Sequence, residues 1–177
     1  MRLALIEGLR QIVSLYDYCE AHGLINDIES KKYNLNEDGE FDNGVDDNEL
    51  NWAFTDLWVL KLQNEIKDLD NTSWDDALCE TSITLPDGGV IAVQCYFDDA
   101  LCFGEHDTIR IRYDEIKAGR NLTSQMADVL NSSPKDNPSW TALFEIETER
   151  ADTFNVLVDA ITKLSEIANE SEQKMNS

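Results

Sequence analysis

The chain has 177 residues, with 36 Asp and Glu against 14 Lys and Arg, a formal net charge of −22, and 42% hydrophobic residues. That length and apolar content suit one domain with a real core and exclude a wholly disordered chain. The charge matches, in order of magnitude, the about 20 phosphates on ten base pairs of duplex, so it repels nucleic acids and acidic membranes and attracts basic proteins.

Self-repulsion on this scale costs stability, so the acid needs a reason. Solubility is one. A high-salt proteome is a second, which the many Asn residues do not support. A functional acidic surface is the third.

The N-terminus, "MRLALIEGLRQIVSLY", is not a secretory leader, because Glu7 and Arg10 interrupt its apolar run. Residues 3–21 form a predicted helix with Leu5, Leu9, Ile12, Val13, Tyr16 and Cys19 on one stripe and Gly23 as its C-cap. No stretch approaches the apolar length of a membrane span, and a cytoplasmic location is expected.

Residues 26–48 then turn polar and acidic, the composition of a flexible loop. Within "NLNEDGEFDNGVDDNEL" lies an EF-hand-like register: Asn34, Asn36, Asp38, Gly39, Phe41 and Asp42 fall at positions 1, 3, 5, 6, 8 and 9. Position 1 lacks its Asp, and Val45 stands where a bidentate Glu belongs, so two strong ligands are missing. Asp46 or Asp47 fits only a longer loop. The alternatives are a polar turn or a partner-facing acidic loop.

A second helix is expected from about Asp47 to Leu69, with Leu50, Phe54, Trp58, Leu62 and Ile66 stepping by four. Trp58 belongs to that stripe. Trp52 lies on a somewhat different face, so it is either core or an exposed aromatic anchor. Residues 26–76 hold fifteen acids against four lysines, half the net excess.

From Leu78 the period becomes two. "ETSITLPDGGVIAVQCYF" reads as a hairpin turning at Pro86-Asp87-Gly88-Gly89. "DTIRIRYDEI" sets Ile109, Ile111 and Tyr113 against Thr108, Arg110 and Arg112, a half-buried strand whose arginines should meet acids across the sheet or on a neighbouring helix. A short helix is expected over Thr123–Leu130. "NSSPKDNPSW" is a loop, "TALFEIET" a strand, and Asp152–Ala168 a helix with Phe154, Leu157, Val158, Ile161, Leu164 and Ala168 inward, followed by a frayed tail at 169–177.

Catalytic signals are weak. His106 sits between Glu105 and Asp107, but no GxSxG and no Cys–His spacing accompanies it, so a surface histidine is the simpler reading. Cys19, Cys79, Cys95 and Cys102 with His22 and His106 build no zinc spacing, and Cys95 reads as a buried reduced thiol. No phosphate-cradling loop or cofactor motif occurs.

These readings converge on an α+β domain over residues 1–177: an antiparallel sheet of three to four strands packed with two N-terminal helices and one C-terminal helix. The expected function is that of a non-enzymatic cytoplasmic binding protein without cofactor. It would inhibit a basic, nucleic-acid-handling partner by mimicking nucleic acid, as an antirestriction, anti-CRISPR or toxin-immunity protein does, and bind neither nucleic acid nor membrane itself. The candidate partner-binding residues are Asp38, Asp42, Asp46, Asp47, Glu49, Trp52 and Asp56. Calcium at Asn34, Asn36, Asp38 and Asp42 is the alternative, and an adaptor acidic only for solubility a third. The apolar stripe of the C-terminal helix could serve a homodimer as well as a core.

Overall fold

The computed structural model describes residues 2–25, 47–75, 79–97, 106–114 and 122–173, leaving aside the side chains of residues 2–9, 47–52, 97 and 171–173. These residues divide between two compact units, one drawn from residues 1–65 and 97–104, the other from residues 66–96 and 105–177.

The first unit holds helix α1, Arg2–Ala21, and all but the last residue of α2, Asp47–Ile66. Gly23, at φ +65°, ends α1 as expected: its N–H donates to the Glu20 carbonyl and that of Leu24 to the Cys19 carbonyl. The buried stripe of α1 is rotated from the expected one. Ile12, Leu15 and Cys19 are buried, while Val13 and Tyr16 are only half-buried. Spacings of three and four follow one helical ridge more closely than the adjacent pair Ile12 and Val13 allows. In α2 the four-residue stripe is buried at Phe54, Trp58, Leu62 and Ile66, and Ala53 and Leu57 widen it.

Polar contacts join the two helices, Cys19 Sγ donating to the Leu57 carbonyl at 3.6 Å and Tyr18 forming a cluster. Tyr18 accepts from Asn64 Nδ2 at 2.7 Å and donates to Glu65 Oε1 at 2.5 Å; His22 stacks on its ring, and Lys61 Nζ lies 5.0 Å from the ring centroid. Burial first, and the Glu65 contact second, push the Tyr18 phenol above its ordinary value.

The second unit is a five-stranded antiparallel sheet in the order β1-β2-β3-β4-β5, with β1 Thr72–Asp75, β2 Glu80–Thr84, β3 Val90–Phe97, β4 His106–Asp114 and β5 Ala142–Glu149. Sequence order equals spatial order, as short antiparallel connections favour. The β2–β3 turn is the expected one: Gly88 takes φ +88°, its N–H donates to the Leu85 carbonyl, and Leu85 N–H donates to that of Gly89.

The fifth strand corrects the expected three or four. β1 is only four residues, "TSWD", with a single large apolar side chain, so it shows no alternation. Its pairing with β2, Thr72 opposite Ile83 through Asp75 opposite Glu80, defines it. The helix count among the described residues is also four rather than three, because α3, Thr123–Leu130, is a regular element, closed by Asn131 at φ +47°. The last helix, α4, spans Arg150–Gln173, longer at both ends than its apolar stripe.

Helices cover one face of the sheet. α4 packs on β2, β4 and β5, and α3 packs on α4. Ile83, Ile91, Ile109, Ile111, Tyr113 and Phe144 supply this core from the strands, with Leu157, Ile161 and Leu164 from α4. Phe154 and Val158 are half-buried rather than core. The buried Ser165 of α4 is satisfied by Asn71, whose Oδ1 accepts from Ser165 Oγ at 2.5 Å.

Candidate functional site: two faces of one strand and an acidic exterior

β4 alternates, so its neighbouring residues serve opposite faces of the sheet. On the covered face, Asp107 accepts from Arg150 Nη2 at 2.8 Å and Nε at 3.2 Å, and from Thr153 Oγ1 at 2.7 Å. Thr148 and Thr153 hydroxyls lie 2.7 Å apart and extend the network. Asp107 and Arg150 side chains are 0% and 8% exposed. The pair therefore ties β4 to the first residue of α4. Cys95 is a partly buried free thiol on this same face. Desolvation first, and Asp107 second, push it up to about 12. A thiol held protonated is a poor nucleophile, which argues for a structural Cys95.

On the other face, Arg110 and Arg112 do meet acids across the sheet. Arg110 lies opposite Glu145 of β5 and bonds it through Nε at 3.0 Å and Nη2 at 2.9 Å. Lys135 joins the same carboxylate from the α3–β5 loop. Lys135 first, with Arg110 adding to it, holds the Glu145 carboxyl below the usual glutamate range. Arg112 reaches over β3 to Glu80 of β2, its guanidinium 4.9 Å from the Trp140 ring centroid. Arg110 is likewise 4.6 Å from the ring of Tyr96, whose hydroxyl donates to Gln94. Planar guanidinium groups combine such stacking with fork-like bonding to carboxylates.

Many of the described carboxylates are on the surface, Asp159 among them although it pairs with Lys163. Along α4, Asp152, Asp159, Glu166 and Glu170 are exposed at spacings of seven, seven and four residues, so they share one side of the helix. Glu147 and Glu149 are exposed on β5, and Asp56, Glu65, Asp68 and Asp70 on α2 and the turn after it.

Of the expected partner-binding residues, Asp56 is exposed on α2. Asp47, Glu49 and Trp52 lie on the first turns of the same helix, with side chains outside those described. Asp38, Asp42 and Asp46 fall outside the described residues, as do the calcium positions Asn34 and Asn36. Among the described residues no three His, Cys, Asp or Glu side chains are placed to hold a metal ion. None of the described helices is long and apolar enough to cross a membrane. His106 is exposed at the head of β4, in register with Glu149.

Sequence reasoning did not single out the acids of β5 or the outer side of α4. Both carry a signal: "EIETE" alternates with period two, and Asp152, Asp159 and Glu166 repeat every seven. Neither pattern separates a partner-facing acid from a solvated one until the sheet assigns its faces.

An α+β unit built on a five-stranded antiparallel meander is the class this chain belongs to. No protein-family description, no curated protein and no solved structure matches the chain.

Proposed function

We propose that this chain is a non-enzymatic acidic protein that binds a basic, nucleic-acid-handling partner and occludes its nucleic-acid site. A nuclease, a restriction or CRISPR-type effector, or a nuclease toxin has the required chemistry. The supporting observation is how the few cations are used. Arg110 and Lys135 face Glu145, Arg112 faces Glu80, Arg150 faces Asp107 and Lys163 faces Asp159. With those five cations committed to intramolecular pairs, acids such as Glu147, Glu149, Asp152, Glu166 and Glu170 lie exposed among the described residues.

A rigid helix is a suitable carrier for such charges. Seven residues of α4 advance about 10 Å, close to three phosphate steps of one nucleic-acid strand. A groove lined with Lys and Arg for phosphates would gain the same counterion release from carboxylates at that spacing. The outer acids of α4 thus join the acidic segment around Asp38–Asp56 as candidate contacts.

The test is capture of partners from a bacterial lysate on immobilised chain, elution across a salt gradient, and assay of what elutes. The expected result is a basic nucleic-acid enzyme that duplex DNA or RNA displaces and whose activity the chain inhibits. If about six carboxylates take part, affinity should fall about a thousandfold between 50 and 200 mM salt. A neutral partner held independently of salt and of nucleic acid would overturn the proposal.

A further inference from the structure

Among the described residues, no named strand lies beyond β5, the last strand of the sheet. The spatial order of the strands puts β5 at the end of the sheet, beyond β4. On its outer side the Lys135 N–H donates to the Leu143 carbonyl at 2.7 Å in an isolated antiparallel bridge. That bond fixes the parity of the strand. If the Leu143 backbone groups point outward, so do those of Glu145 and Glu147, while Phe144 and Ile146 turn theirs to β4. Among the described residues, no strand pairs with this outer edge beyond Leu143. The other end of the sheet is different, since β1 is only four residues long.

We infer that the outer edge of β5 at Glu145–Glu149 accepts an extended, lysine- or arginine-bearing segment of a partner protein as a sixth strand. The inference rests on the proposed function in one respect, that the partner is basic. Lys135 supplies the pattern on a small scale: its main chain bonds the edge while its ammonium pairs with Glu145. Glu147 and Glu149 repeat that acid two and four residues on, on the same face of the sheet, and both are exposed. A segment with a cation at every second residue would continue both interactions. Addition of a second copy of β5 itself would set glutamates opposite glutamates, which the sheet disfavours.

The probe is an acetylated, amidated heptapeptide of alternating Lys and Thr, with a block-ordered peptide of the same composition as control. Binding to the full chain is read by fluorescence anisotropy, and the site by amide hydrogen exchange. The alternating peptide should bind more tightly than the control and protect the Glu145 and Glu147 amides. Glu147→Pro removes an outward N–H and no ladder bond, so it should leave the far-ultraviolet spectrum intact and weaken the peptide about tenfold or more. Glu147→Lys should weaken it by charge alone, and serves if the proline variant does not fold. Equal binding of the two peptides, or unchanged edge amides, would overturn the inference. So would self-association of the chain that Glu147→Pro abolishes, because the occupant would then be a second copy. If Glu147→Pro loses the peptide but the basic partner is still captured in a salt-dependent way, the proposed function stands and the edge does not serve it. If no basic partner is captured while the peptide still protects the edge, the reverse holds.

Discussion

On the helix-covered face of β4, Asp107 and Arg150 pair with side chains 0% and 8% exposed; on the opposite face, Arg110 and Glu145 pair with side chains 38% and 20% exposed. The chemistry is the same and the solvent differs. Inside, two charges have left water, and Asp107 is compensated by Arg150 and by the Thr153 hydroxyl. Outside, water and salt screen the pair, and its loss costs little. The covered pair therefore locates α4 on the sheet, while the open pair arranges charge on a surface without holding the fold.

The largest way to test this contrast is Asp107→Ala, which takes from the 8%-exposed Arg150 side chain its carboxylate partner on β4. It should destabilise the chain by about 3–5 kcal/mol in urea unfolding. A cost under about 1 kcal/mol, the scale of an exposed pair, would erase the distinction.

Arg112→Ala tests an intermediate case, because Glu80, on the face opposite α4, is only 7% exposed. The expected loss is about 1–3 kcal/mol, from a carboxylate left without its donor. Arg110→Ala should cost about 0.2–1 kcal/mol and less at high salt, read in the same assay.

Titration sharpens the comparison further. Glu145 is depressed, so its pairing contributes stability above the ordinary glutamate value, and that contribution is lost as pH falls through its lower folded value. Carboxyl chemical shifts should place Glu145 below the ordinary glutamate value. In the Arg110→Ala background the gap should narrow, and it should close further when Lys135 is also replaced.

Cys95 shifts the other way. Its folded value is about 12, so above about 8.5, where an unfolded thiol ionises, the unfolded chain gains relative to the folded one and stability declines as pH rises toward 12. In a Cys102→Ser background near pH 8, a disulfide reagent should label exposed Cys79 quickly and Cys95 only on unfolding. Rapid labelling of Cys95 in the native chain would contradict a structural thiol.

Local pattern was enough to read much of this molecule. The β2–β3 hairpin follows from "PDGG", the two faces of β4 from its alternation, and the core of α4 from Leu157, Ile161 and Leu164 at helical spacing. Each depends on neighbours within a few residues, where backbone geometry translates order directly into direction. The acidity, and the expectation that a basic partner meets it, also come from composition alone.

Tertiary structure decided the rest. It recruited "TSWD" as a strand, because a short edge strand is defined by its partner rather than its own pattern. It chose Ile12, Leu15 and Cys19 as the buried line of α1. It also matched three arginines to their acids: Arg150 to Asp107 across 43 residues, Arg110 to Glu145 across 35 and Arg112 to Glu80 across 32. Charges are identical in sequence whether they pair or face water; only the packing of strands and helices sets the distances and the burial on which their energies depend.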